Sequence, residues 1–256
     1  MTFVAHPSRS LACLLAIAVC VSCKPAQPGA RSGAGPQVRA TVVTLRTTIL
    51  PDDKTYTQTI VIAGDRARNT GEHDTWRLFD TKAKTVTFVD DVARTVRTEA
   101  LQEIVQRRNT ANAAALPSHY PRATFTRTNE RRTMQGAQAE KVTIASGTYR
   151  RELWLAEHSS IPRDLFAMMH ASETPSSPLA PMMRDVDRAL ATERGFPFLD
   201  RTTVPMGEGA LVVERAVVGI SQRDVSESLL SIPKGYEDQT NGTTAEGLGK
   251  GAGRKN

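Results

Sequence analysis

Beyond residue 23 this chain has no cysteine. Its three cysteines, Cys13, Cys20 and Cys23, all fall within the first 23 of 256 residues. The rest of the chain therefore forms no disulfide, supplies no thiolate to a metal and has no thiol nucleophile. Aromatic residues make up only 5% of the sequence. No glycine-rich phosphate loop is present, and Gly207-x-Gly209 reads as a hairpin turn. The later histidines, His73, His119, His158 and His170, never fall at His-x3-His spacing. The paired carboxylates Asp52-Asp53, Asp90-Asp91 and Asp185-x-Asp187 lack the further oxygens of a calcium loop. His158 beside two serines is not a catalytic pair, because triads are spatial. These absences predict a protein with no metal, no cofactor and no catalytic site.

A long apolar run is also missing. The one apolar stretch, residues 11–21, follows Arg9 and stops at Lys24-Pro25. It falls well short of the roughly 20 residues that span a bilayer. It has the length and flanks of an export signal. Residues Cys20-Val21-Ser22-Cys23 resemble the lipobox of bacterial lipoproteins, where a small residue precedes the cysteine. The resemblance implies a diacylglyceryl group on Cys23 and cleavage before it, so residues 1–22 are a signal peptide. Several acyl chains hold a protein on a membrane almost irreversibly. The membrane is then the first partner. By the enterobacterial sorting rule, Lys24 in place of aspartate implies the outer membrane of a Gram-negative cell, facing the periplasm. Cleavage by the ordinary signal peptidase would give a soluble secreted form.

Residues 23–37 hold the lipidated cysteine and a Pro/Gly/Ala/Ser-rich stretch that reads as a flexible tether. Residues 237–256 are polar and glycine-rich and read as a disordered tail. One body remains, 38–236, long enough for a sizeable core. The chain carries 33 Lys and Arg against 27 Asp and Glu, a net charge of +6. The arginines are scattered, and an exported protein is a poor partner for nucleic acid. Anionic headgroups fit such a charge better. Oligomeric state is not written in the composition.

The body reads as α+β. Residues 38–47 alternate, with a slip at Val42-Val43. Strands follow over 56–63, 76–80, 85–90 and 94–98, and short links make them an antiparallel meander. The period then changes to 3.6 over 99–115, a helix stopped by Pro117. Strands return over 123–128, 139–146 and 149–157. Helices are expected from Ile161 to about His170 and over 182–194, the latter closed by Gly195. A hairpin over 196–206 and 210–221 completes a largely antiparallel sheet with about three helices on one side.

Three segments carry a further resemblance: 80–90 (DTKAKTVTFVD), 147–156 (GTYRRELWLA) followed by Ile161-Pro162, and 232–236 (IPKGY). The chain resembles an uncharacterised bacterial lipoprotein family, a domain of unknown function sharing the fold of LolA and LolB, the periplasmic lipoprotein carrier and its outer-membrane receptor. The resemblance implies a curved half-barrel with helices in its concavity, able to take an acyl chain, a lipoprotein or an apolar segment. Met168, Met169, Met182 and Met183 stand near the second and third helices, and methionine adapts to irregular apolar ligands. They are expected either to line a lid over an apolar cleft or to fill the core beneath a loop. The two function classes are a lipid-binding module and an envelope structural or interaction protein with a filled core.

Overall fold

The computed structural model describes residues 35–70, 74–113, 122–173, 185–186, 188–190, 193–207 and 209–240. Twelve strands form one open, curved, largely antiparallel sheet. Its first wing is a meander of β1 (Gln37–Leu50), β2 (Lys54–Ala63), β3 (Arg66–Thr70), β4 (Thr75–Asp80), β5 (Thr85–Asp90) and β6 (Thr95–Ala100). Its second wing runs through β7 (Thr124–Met134), β8 (Ala137–Ser146), β9 (Tyr149–Ala156), β10 (Phe196–Met206) and β11 (Gly209–Ser226). The long strands β1 and β11 pair antiparallel and join the wings. A register shift at Thr44/Leu45 leaves Val218 of β11 without an opposite residue. β12 (Glu237–Asp238) closes the first wing by pairing parallel with β6. The fold thus continues past Tyr236 into a segment that composition alone marks as tail.

Two tight turns repeat one device. Asp80 Oδ1 accepts hydrogen bonds from the amides of Lys82 and Ala83, at 3.1 and 2.7 Å. Asp90 Oδ1 accepts one from the amide of Ala93, at 2.8 Å. Each turn ends on a residue of positive φ, Lys84 at 56° and Arg94 at 55°. An aspartate opening a turn in this way competes with the ladder and stops the strand. The two turns set the registers of β4, β5 and β6.

Alternation predicts one buried and one wet face for each strand. The first wing instead buries residues on both. One core cluster joins Val43, Leu45, Ile60, Ile62, Phe79 and Val86 to residues of the second wing and to the helices. The helical contributors are Ile104 of α1 (Leu101–Ala113), Leu165, Phe166, Met168 and Met169 of α2 (Leu165–Ser172), and Val186 and Leu190. The other cluster holds Ala40, Val42, Val61, Trp76, Leu78, Val89, Val96, Val225 and Leu230, with Tyr236 packed on it. So Val42-Val43 is no slip: the strand keeps its parity and buries both faces. The cover on the second face is the C-terminal segment. Tyr236 donates to Asp91 at 3.0 Å, Trp76 Nε1 donates to the same carboxylate at 3.0 Å, and Arg68 lies 3.9 Å from the Trp76 ring centroid.

Several elements differ from expectation, among them β7, which runs to Met134 rather than 128, and β11, which runs to Ser226 rather than 221. β3 was not expected, because Arg-Ala-Arg-Asn-Thr has little apolar signal, yet Ala67 and Asn69 are buried. α1 begins only after β6 ends, at Leu101 rather than residue 99. α2 begins at Leu165 rather than Ile161. Of the third expected helix, 185–186 and 188–190 are helical and much of the remainder lies outside the described residues. Gly195 has φ +110°, and a Cβ there would meet the Ala156 carbonyl oxygen at 2.9 Å. Its role is close approach of two backbones where β10 meets β9.

Candidate functional site

Of the expected site residues, two are described, and both are buried. Met168 is fully buried and Met169 nearly so, both inside the first core cluster. Met169 borders a cavity of about 10 Å³ with Leu45, Phe166, His170 and Asp200. That space holds one water at most. Met182, Met183 and Cys23 lie outside the described residues.

Beside that cavity is a sealed charged cluster. Arg151 of β9 donates to both oxygens of Asp200 on β10, at 2.8 and 2.6 Å. Both residues are buried. Burial pushes the Asp200 carboxyl up, but the Arg151 guanidinium and its two hydrogen bonds outweigh it and hold the carboxyl low. His170 of α2 sits 3.4 Å from Arg151 through Nδ1. Burial first, then the Arg151 charge, push the imidazole down to about 3. His170 is therefore neutral across the physiological range. These groups face no solvent and act on packing.

A second space opens on the same sheet face. It is a cleft of about 660 Å³ built on the first wing. Its floor is one cross-strand row. Asn69 pairs with Arg77, Arg77 with Phe88, and Phe88 with Arg97. The two Asp turns place this row, since a one-residue slip would send all its side chains to the other face. The guanidinium carbon of Arg97 lies 5.1 Å from the Phe88 centroid and that of Arg77 lies 5.7 Å from it. Both fall within cation–π reach. Gln58, Thr75, Asp90 and Thr95 form the rim. Gln239 adds a wall from the C-terminal segment, its amide donating to the Val96 carbonyl at 2.8 Å.

The charges of the cleft differ in their partners. Arg97 lies 2.5 Å from Glu99, which also meets Arg107 at 2.6 Å. Arg215 lies 3.1 Å from Glu173, and this pair forms the wall shared with the small cavity. Burial lowers the Arg215 pKa, but Glu173 and Asp200 outweigh it and raise it. Arg77 is half-buried and makes no ion pair among the described residues. Burial pulls its pKa down, with Glu173 opposing from a distance. An arginine still keeps its proton there.

None of the residues of this floor stood out in the sequence. Their signal is alternate spacing within strands, which marks a face and not a site. Among the described residues, no group of three or more His, Cys, Asp or Glu could hold a metal ion. No helix among them is long and apolar enough to cross a membrane.

Several solved structures are similar to this chain at low identity. PNGF-II is 11% identical with a TM-score of 0.43, over 80% of this chain and 32% of its own. This chain therefore spans about a third of that protein's length. An uncharacterised conserved protein from Thermus thermophilus is 9% identical with a TM-score of 0.39, over 78% of this chain and 89% of its own. A LolA superfamily protein from Nitrosomonas europaea is 8% identical with a TM-score of 0.28, over 78% and 91%. No curated protein matches the sequence. A family described as "Domain of unknown function (DUF4412)" matches residues 42–236, from β1 to the Tyr236 that caps the second core, and the chain belongs to that family.

Proposed function

We propose that this is a lipid-anchored envelope protein of a Gram-negative bacterium, held at the outer membrane by acyl groups on Cys23. Its body is read as a half-barrel with the helices in its hollow, and as a binding module without catalysis. Residues 24–36 tether that body to the bilayer. The carrying observation is the cleft of about 660 Å³ with Phe88 at its floor. Its volume lies within the roughly 300–1,000 Å³ of small-molecule sites. Its described lining holds neither histidine nor cysteine. The ligand class is a lipid or another amphiphile, because the floor sets an apolar ring, Phe88, between two arginines, Arg77 and Arg97.

The test is mass spectrometry of protein purified from a bacterial envelope. The expected result is a mature N-terminus at Cys23 with added acyl mass, and lipid recovered from the folded body. An unmodified Cys23 overturns the anchor. Absence of recovered lipid, together with no response of a fluorescent acyl probe, overturns the binding module.

One observation favours a second reading, an envelope structural or interaction protein. The methionines of α2 are packed into a filled core, with only about 10 Å³ left beside Met169. On that reading the same purification yields no lipid, and a partner protein is cross-linked instead.

A further inference from the structure

The floor of the cleft offers two unmet polar groups side by side. Arg97 and Arg215 each have a carboxylate partner, Glu99 and Glu173. Arg77 makes no ion pair among the described residues, although it is half-buried and lies over Phe88. A cation drawn out of bulk water is normally paired. Opposite Arg77 on the next strand is Asn69, which is buried. Its Oδ1 has no hydrogen-bond partner among the described residues. Buried acceptors are almost always satisfied, so an orphan lining a cleft points to a missing donor. The described lining carries three arginines against Glu173 and Asp90, leaving one positive charge over.

We propose that Arg77 seats the oxyanion head of an amphiphile, a carboxylate or a phosphate, whose first apolar atoms lie on Phe88 and whose hydroxyl or amide N–H donates to Asn69. This rests on the lipid-binding reading above and names the chemistry of the ligand's head. A guanidinium matches either oxyanion through paired N–H donors. The ring beneath it accepts the first carbons of the chain. Gln239, brought in by β12, closes the site from the side.

The experiment uses the full chain carrying Cys23→Ser, which takes no acyl anchor. Calorimetric titrations compare decanoate, decyl phosphate, decanol and inorganic phosphate below their aggregation limits. The two anionic amphiphiles are expected to bind about tenfold to a hundredfold tighter than decanol, the range of a hydrogen bond to a charged group. Arg77→Gln is expected to erase that difference. Inorganic phosphate is expected to bind at least about tenfold more weakly than decyl phosphate, for want of the contact with Phe88. Equal binding of decanol and both anions overturns the oxyanion seat and leaves the lipid reading standing. No binding by any amphiphile overturns the lipid reading itself. Inorganic phosphate binding as tightly as decyl phosphate overturns the amphiphile and identifies a site for free phosphate. Should Arg77→Gln fail to fold, the comparison of anions with decanol on the unsubstituted cleft decides alone.

Discussion

Arg151 and Arg77 stand on the same face of one sheet and have opposite surroundings. Arg151 is sealed beneath α2 and grips both oxygens of Asp200. Arg77 lies over Phe88 in an open cleft and has no ion pair among the described residues. The Glu173–Arg215 pair forms a wall common to both spaces. The contrast separates two uses of a charge. A buried ion pair is weak evidence of net stabilisation, but it cannot lose one member cheaply. A half-buried cation without a partner gives the fold little and is available to a ligand.

The contrast breaks most plainly at Asp200. Asp200→Ala leaves the Arg151 guanidinium buried and unpaired, and should cost about 3–5 kcal/mol in urea unfolding. A loss under about 1 kcal/mol would mean that water reaches Arg151 and the cluster is not sealed.

Acid should act on the same cluster. The His170 imidazole titrates near 6.5 when unfolded and is pushed down to about 3 in the fold. The unfolded chain therefore binds the extra proton as pH falls between these values. The stability is complete above pH 6.5 and is lost downward through that window. By pH 4 the loss should reach about 3 kcal/mol relative to pH 7.5. Asp200, whose carboxyl is also held low, adds to the loss below its unfolded value of 3.8. Unfolding midpoints measured against pH check this, and His170→Gln should flatten the curve between pH 6 and 4.

The smallest expected effect is at the other arginine. Arg77→Leu removes a charge with no ion-pair partner, so stability should move by no more than about 0.5 kcal/mol in either direction. The urea midpoint reads it. A loss as large as that of Asp200→Ala would erase the distinction between the two regions and make Arg77 a structural residue.

Much of the body was legible in its sequence. The period-2 strands, the period change at residue 99, two residues ahead of the observed helix, and the Gly207 hairpin follow from spacing and turn chemistry. β3 escaped because Arg66–Thr70 is polar, and its burial comes from its neighbours. Val42-Val43 looked like a slip because the cover on the second face lies far along the chain, at Leu230 and Tyr236. The cleft was not legible at all. Asn69, Arg77, Phe88 and Arg97 are spread over 29 positions, counted from 69 to 97, and meet only through strand pairing.

The sequence by itself determined the absence of thiol chemistry after Cys23 and the α+β character of the body. Those are local properties, set by residue type and by periods a few residues long. The tertiary structure decided which arginine is paired, which wing buries residues on both faces, where Met168 and Met169 lie, and that Gln239 walls a cleft. These depend on distant segments meeting, β1 with β11 and β6 with β12. Burial and charge pairing are properties of neighbours in space, and local spacing does not encode them.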